Sequence, residues 1–335
     1  MSTHFRPGHN VLVQMQNHSE HRSEYGKNSD AHNLYLSICP AHLTSSRVTN
    51  SIELALLKNI GTTLHISREW PLGEQSWYWG KKKYHICHPD CDTMTEVLYM
   101  EEWRGDESLQ NPNYIQEFDA NITKRGETFV VLDKTAFYAL GGGQPSDTGT
   151  LKWEGGESRV QEVLKKGEIR HFVDTMPETE QVQGVLDWDK RYAHMKMHTA
   201  QHVLSSVVFK MFNARTAGNQ VHADHSRVDF QPITFTDEDL ARVEEGCNEI
   251  IRRAVPVHVY EEGRAVLGEK MADQRYILNM IPKSISRLRV VDILDVDICP
   301  CAGTHVKNTS ELGKVHILER RSKGKDIDRI VYELL

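Results

Sequence analysis

Arg159-Val-Gln-Glu-Val-Leu-Lys-Lys-Gly-Glu-Ile-Arg-His-Phe-Val173 reads as two short strands, Arg159 to Leu164 and Glu168 to Val173, turned at Gly167. Apolar positions recur along both runs, and the glycine between them permits a tight reversal. Upstream, Thr95-Glu-Val-Leu-Tyr-Met100 and Gln116-Glu-Phe-Asp-Ala-Asn-Ile-Thr123 alternate like strands. Thr128-Phe-Val-Val-Leu-Asp133 is a candidate buried strand, and Thr150-Leu-Lys-Trp153 adds another. Together they predict a small antiparallel barrel ending near Leu186. Downstream the pattern turns helical. Asp187 or Asp189 can cap a long amphipathic helix through Phe212, and Thr236 with Asp239 in capping-box register starts a second, running to about Arg253. Strands return at Val255 to Tyr260, Leu288 to Ile298 and Lys314 to Arg320. The last pairs with Asp328 to Leu334 across Ser322-Lys-Gly-Lys-Asp326. The predicted class is α+β: a glycine-rich antiparallel β-barrel domain over 94–186, then an α+β domain over 187–335 with helices on an antiparallel sheet.

Residues 1–93 have another texture. They hold nine of the eighteen histidines, in polar stretches such as Asn17 to Asp30 that lack any period. We expect a poorly ordered extension or an overlong gene model, with Met94 as the natural start. A short helix at Ser51 to Lys58, stopped by Gly61, is the one periodic segment expected there. The whole chain, at 335 residues with 39% hydrophobic and 26% charged, is long and apolar enough for two or three domains, which excludes wholesale disorder. No stretch approaches 18 consecutive apolar residues and no secretory apolar run follows Met1, so a cytoplasmic protein without a membrane partner is expected. Six cysteines are too sparse for a disulfide scaffold. A net charge of −7 argues against a broadly basic nucleic-acid binder and leaves room only for a local basic face.

Chemistry concentrates in two separated pairs. His198-Thr-Ala-Gln-His202 lies on the first predicted helix, where a spacing of four sends both imidazoles from nearly one line. About a hundred residues later, Cys301-Ala-Gly-Thr-His305 has Gly303 to turn a thiolate and an imidazole toward one point. Three imidazoles and a thiolate suit Zn²⁺, one per chain, and ill suit the oxygen-seeking Mg²⁺ or Ca²⁺. One His-x-x-x-His alone is weak evidence and loses to ordinary polar residues on a half-buried helix; the second pair, with Cys301 in a glycine-containing loop, favours a metal site. Thr199 stands where a zincin would have its glutamate, which argues against a zinc protease. His194, one turn earlier, reads as a surface histidine or an outer partner. Cys299 is either a stand-in ligand or, as we favour, a core thiol. His85-Ile-Cys-His-Pro-Asp-Cys91 has metal-binding composition but no second knuckle in register.

Between two predicted strands lies Phe137-Tyr-Ala-Leu-Gly-Gly-Gly-Gln-Pro-Ser-Asp-Thr-Gly149, containing Gly141, Gly142, Gly143, Gln144 and Asp147. It lacks the spacing of a nucleotide P-loop, and taken alone it reads as a barrel corner. In combination with His198-Thr-Ala-Gln-His202 and Cys301-Ala-Gly-Thr-His-Val306, it closely resembles the AlaX family, free-standing alanyl-tRNA editing proteins related to the editing domain of alanyl-tRNA synthetase. The resemblance covers roughly Met94 to Leu335. Because the sequence ends at Leu335 after the last strand pair, it resembles the medium-length class. It implies an α+β editing domain behind the barrel, and hydrolysis in trans, without ATP, of tRNA(Ala) mischarged with serine, in some members also glycine. Carried over residue by residue, the zinc motif falls on His198, His202, Cys301 and His305. Relatives commonly have Cys-Gly-Gly-Thr-His, and Ala302 would be strained if that position needed a positive φ.

Which group activates water is not legible, since four protein ligands already fill a tetrahedron. Thr199 and Gln201, lying between the helical ligands, are candidate pocket residues for a serine hydroxyl, or plain helix-surface residues. Lys307, Lys314, Arg320, Arg321, Lys323 and Lys325 crowd the last strands and their turn, as a tRNA phosphate contact or a solvated hairpin. Two other functions compete: a non-catalytic tRNA-binding protein with structural zinc, and a zinc hydrolase of small esters.

Overall fold

The computed structural model describes residues 95–271, 278 and 281–335, together with four short strands nearer the N-terminus. The chain divides into two compact units, Met1–Met94 and Thr95–Leu335. In the first, β1 (Val13–Gln14) pairs with β2 (Ser37–Ile38) and β3 (Gln75–Trp79) with β4 (Lys82–Ile86), each pair antiparallel. The expected helix at Ser51 to Lys58 and the side chains of the His85 to Cys91 cluster lie outside the described residues.

The second unit opens with β5 (Glu96–Val97), which pairs in parallel with β8 (Lys134–Thr135) and runs into a single 3₁₀ turn at Leu98–Met100. A longer strand is expected there from alternation alone. The chain instead bends so that Tyr99 is buried with its ring 5.3 Å from that of Tyr138. Six strands then close a barrel: β6 (Glu117–Arg125), β7 (Phe129–Leu132), β9 (Gly149–Trp153), β10 (Gly156–Lys166), β11 (Glu168–Val173) and β12 (Gln181–Leu186), in spatial order β10-β11-β7-β6-β12-β9. Its core is made by inward residues of the strands, with Val130, Leu132, Leu151, Val160 and Val163 fully buried, joined by Phe137 from the loop between β8 and β9. The opening Arg159–Val173 stretch is the β10–β11 hairpin, turned at Gly167 with φ 78°.

His171 projects into this core, fully buried, with Nε2 2.9 Å from the Thr135 hydroxyl and Nδ1 3.3 Å from the Val130 carbonyl. Burial pushes its pKa down to about 4. Above the ordinary pKa of roughly 6.5 the imidazole is neutral folded and unfolded alike. Below it the unfolded chain takes up the proton first, so stability falls as pH drops from 6.5 toward 4. Each pH unit costs about 1.4 kcal/mol, so urea unfolding at pH 7.5 and 4.5 should show His171→Gln losing about 2–3 kcal/mol less on acidification than the parent chain. Equal losses in the two proteins would refute this.

The chain then forms α1 (Trp188–Phe212), β13 (Arg215–Gln220), β14 (Ser226–Gln231), α2 (Asp237–Arg252), β15 (Val257–Gly263), α3 (Arg264–Lys270), β16 (Arg287–Ile293), β17 (Asp297–Pro300), β18 (Val315–Gly324) and β19 (Ile327–Leu334). Two antiparallel sheets result, β13-β14-β19-β18 and β15-β16-β17. One core joins α1, α2 and both sheets, through Leu204, Val208, Val243, Ile251, Val291 and Ile330. The class is thus α+β. Among the described residues no helix is long and apolar enough to cross a membrane.

The capping box on α2 is present: Thr236 accepts from the Asp239 amide, and the Asp239 carboxylate accepts from the Thr236 amide. Asp187 sits at the N-cap of α1 but makes no side-chain cap, because its carboxylate is taken by Arg159 and Thr148. The run from Leu288 to Ile298, expected as one strand, is the β16–β17 hairpin. Asp295, at φ 61°, turns the chain so that Cys299 pairs with Val291. Asp tolerates that left-handed backbone far better than the β-branched residues around it. β13 and β14 were not foreseen. β13 is polar and carries Gly218, so no apolar alternation marks it, whereas β14 alternates over only two apolar residues, Val228 and Phe230, too short a run to stand out.

Candidate metal centre

α1 buries every residue from Met197 to Val208, so the one-turn spacing of His198 and His202 points both imidazoles inward rather than to solvent. The segment after β17 carries Cys301 and His305 back against the helix. One nitrogen from each of the three histidines and the Cys301 sulfur all lie within 4.8 Å of one another. The ring centroids are 4.4 Å apart for His198–His305, 4.8 Å for His202–His305 and 5.3 Å for His198–His202.

Three imidazoles buried so closely cannot all be positively charged, because like charges in a dry site repel strongly. Burial and the neighbouring His198 push His305 down to about 3, which leaves it neutral as a ligand must be. Burial alone would raise the Cys301 thiol, but His198 and His305 beside it hold it well below the ordinary value, toward the thiolate. His202 is drawn the other way: against the effect of burial, Cys299 and the Asp297 carboxylate raise it.

The donor set fits zinc by distance as well as by chemistry. Cys301 Sγ is 3.6 Å from His198 Nε2 and 3.4 Å from His305 Nε2. A tetrahedron built with Zn–N of about 2.0–2.1 Å and Zn–S of about 2.3 Å has an N···S edge of about 3.5 Å.

The loop from Cys301 to His305 is held from several sides. Arg289 Nη1 donates to the carbonyls of Cys301 (2.7 Å) and Gly303 (2.9 Å), and Nη2 to that of Tyr99. Asn113 Oδ1 accepts from the His305 amide at 3.0 Å. Gly303 is required by space: a Cβ there would lie 2.1 Å from His198 Cε1. Ala302 is not among the described non-glycine residues with positive φ, so alanine fits without strain.

Gln144 is fully buried against His198, while Gly142 and Gly143 are exposed. Asp147 pairs with the buried Arg191 of α1. The Thr199 hydroxyl donates to the Met195 carbonyl and lies 3.1 Å from His305 Nδ1 and 3.2 Å from the Val306 amide, so the protein already occupies it. Gln201 is buried and donates to Ser205 Oγ, which also accepts from Thr216. His194 is 2% exposed, which overturns its reading as a surface histidine, and burial pushes it down to about 4.

Cys299 is buried as expected of a core thiol, but its sulfur is 3.5 Å from His202 Nδ1. With Asp297 and His202 it makes a second close group. Asp297, Arg289 and Asn113 escaped the sequence reading because no spacing links them to the ligands. Arg320 is bound to Asp328 and Arg321 to Glu319; Lys307 approaches Glu107. Lys314 is exposed just before β18, and Lys323 and Lys325 are exposed at the β18–β19 turn.

Residues 75–190 match the family described as tRNA synthetases class II (A), and 288–331 the threonyl and alanyl tRNA synthetase second additional domain. The first match starts upstream of Met94. The chain is 38% identical over 252 residues to the alanyl-tRNA editing protein AlaX-M of Methanosarcina barkeri, covering 72% of this chain and 100% of that protein. It is 36% identical over 228 residues to AlaX-L of Pyrococcus horikoshii, covering 65% of this chain and 55% of that one. Over 227 residues it is 35% identical to the alanine–tRNA ligase of Pyrobaculum calidifontis, covering 63% of this chain and 25% of the ligase.

Proposed function

The chain belongs to the AlaX family of alanyl-tRNA editing proteins, and from that premise we propose that it deacylates Ser-tRNA(Ala), and Gly-tRNA(Ala), at a zinc ion held by His198, His202, Cys301 and His305. It is an aminoacyl-tRNA deacylase acting in trans. The observation that carries the zinc reading is the pair of nitrogen–sulfur separations, 3.4 and 3.6 Å, within a buried three-histidine, one-thiolate group. Zinc bound there supplies a Lewis acid for the ester carbonyl, or an anchor for the acceptor end.

The protein's own part is to bind, orient and select. Gln201, on α1 between the two helical ligands, is the pocket contact we assign to the serine hydroxyl. Thr199 is committed to the helix and to His305, so its contribution to the pocket is to hold that ring. A pocket that hydrogen-bonds serine leaves those groups unpaired when alanine enters, and such a penalty rejects the smaller cognate substrate. Lys307, Lys314, Lys323 and Lys325 are the assigned phosphate contacts, joined by Arg320 and Arg321 where their acidic partners release them.

Zinc-loaded protein given Ser-, Gly- and Ala-tRNA(Ala) and a small seryl ester should cleave the seryl-tRNA at least about a hundredfold faster than the alanyl-tRNA. Equal rates on seryl- and alanyl-tRNA would remove the editing function. Cleavage of the small ester alone would indicate a general esterase, and binding without cleavage a non-catalytic tRNA binder. In the same assay, reversing the charges of Lys323 and Lys325 should raise KM for tRNA and leave zinc content unchanged.

A further inference from the structure

We propose that Gln144, carried by the glycine-rich loop of the barrel, is a positioning residue of the metal centre: it holds His198 as the Nδ1–H tautomer, so that Nε2 is presented to the ion. The assignment rests on the zinc reading above and adds to it a residue from outside the ligand motifs.

Proton counting fixes the direction of each bond. Gln144 Oε1 lies 2.8 Å from His198 Nδ1 and accepts from the Thr304 amide at 3.1 Å, while its Nε2 donates to Thr304 Oγ1 at 2.8 Å. With the amide group oriented by Thr304, its oxygen faces His198 and can only accept. The imidazole must therefore donate from Nδ1, leaving the Nε2 lone pair for a metal. The other two rings obey the same rule. Thr199 spends its one hydroxyl proton on the Met195 carbonyl, so His305 Nδ1, 3.1 Å away, is a donor to it. The Asp297 carboxylate, 3.0 Å from His202 Nδ1, also accepts. Three acceptors, from the barrel loop, from α1 and from β17, thus turn three Nε2 atoms toward one point. Partners of this kind on a ligand's far nitrogen set its tautomer and orientation.

The glycine-rich loop is built to deliver Gln144. Gly142 and Gly143 have φ of 57° and 83°, a backbone that L side chains rarely adopt. A Cβ on Gly143 would come within 2.6 Å of Asn219 Nδ2. Asn219 Nδ2 donates to the Gly142 carbonyl, the Val221 amide to the Gly143 carbonyl, and the Tyr138 hydroxyl to the Gly141 carbonyl. The turn so clamped sends Gln144 inward to full burial. Across from it, a Cβ on Gly303 would stand 3.0 Å from Gln144 Oε1 as well as against the His198 ring, so the ligand loop also leaves room for this contact.

Two substitutions separate hydrogen bonding from packing. Gln144→Met keeps length and bulk but removes the acceptor; Gln144→Glu keeps an oxygen for both His198 and Thr304. Zinc affinity, read by competition with a chromophoric chelator, should fall about 10–100-fold in the Met protein and stay near the parent value in the Glu protein. The cobalt-substituted Met protein should show shifted visible d–d bands. Independently of any variant, nitrogen-15 correlation spectra of the zinc-loaded parent should show His198 protonated at Nδ1. An Nε2–H tautomer at His198, or parent-like zinc affinity in the Met protein, overturns the assignment while leaving the zinc site standing. A parent protein that takes up no zinc overturns both.

Discussion

Cys301→Ala protein, purified after zinc-replete expression, should lose both zinc and deacylation. Removing a ligand removes more than the 10–100-fold typical of an outer partner, so affinity should fall by at least about a hundredfold. The variant also leaves His198 and His305, both at most 2% exposed, without the thiolate that lies 3.6 and 3.4 Å from them. Seryl-tRNA cleavage should fall in parallel, and metal analysis with the deacylation assay reads both. Cys299→Ala distinguishes the neighbouring thiol. Cys299 Sγ lies 3.5 Å from His202 Nδ1, the nitrogen turned toward Asp297. Its loss should therefore disturb His202 without emptying the site. Full zinc in Cys301→Ala and none in Cys299→Ala would exchange the roles of the two sulfurs.

The second large effect is expected on stability, at the joint between barrel and helix. Arg191, 1% exposed, bonds to Asp147 Oδ2 through Nε at 2.8 Å, to the Asn113 carbonyl through Nη1 at 3.1 Å, and to the Ala136 carbonyl through Nη2. The same Asp147 oxygen accepts from the Tyr138 amide at 2.7 Å, so one carboxylate fixes both the loop and the helix. Asp147→Ala strands a guanidinium in the interior, which typically costs about 3–5 kcal/mol. Guanidinium chloride unfolding should show that loss, and Asp147→Leu with Arg191→Met should recover much of it by removing both charges. A shift under about 0.5 kcal/mol in Asp147→Ala would mean that water or another group reaches Arg191.

Local rules made much of this molecule legible before any tertiary contact was known. The strand pairs around Gly167 and Gly324, the capping box at Thr236 and Asp239, and the change from alternation to helical period near Asp187 depend on residues a few positions apart. The four candidate ligands were legible for a similar reason: a spacing of four on a helix places two imidazoles on one line, and a glycine between Cys301 and His305 permits a turn.

What tertiary structure decided is whatever depends on residues far apart in the chain. Gln144 reaches His198 across 54 positions and Asp297 reaches His202 across 95, and no periodicity carries such information. His194 has the composition of a surface helix, but α1 lies between the barrel loop and two sheets, so its polar face is buried. Leu288 to Ile298 has the apolar content of one strand, and the left-handed Asp295 breaks it into the hairpin that leads to Cys301. The sequence determined the elements and the kinds of donor because those follow from backbone preference and side-chain chemistry. Orientation of the donors was settled only when burial forced each imidazole to find a partner for its second nitrogen, since an unpaired polar group in a dry interior costs about 1–3 kcal/mol.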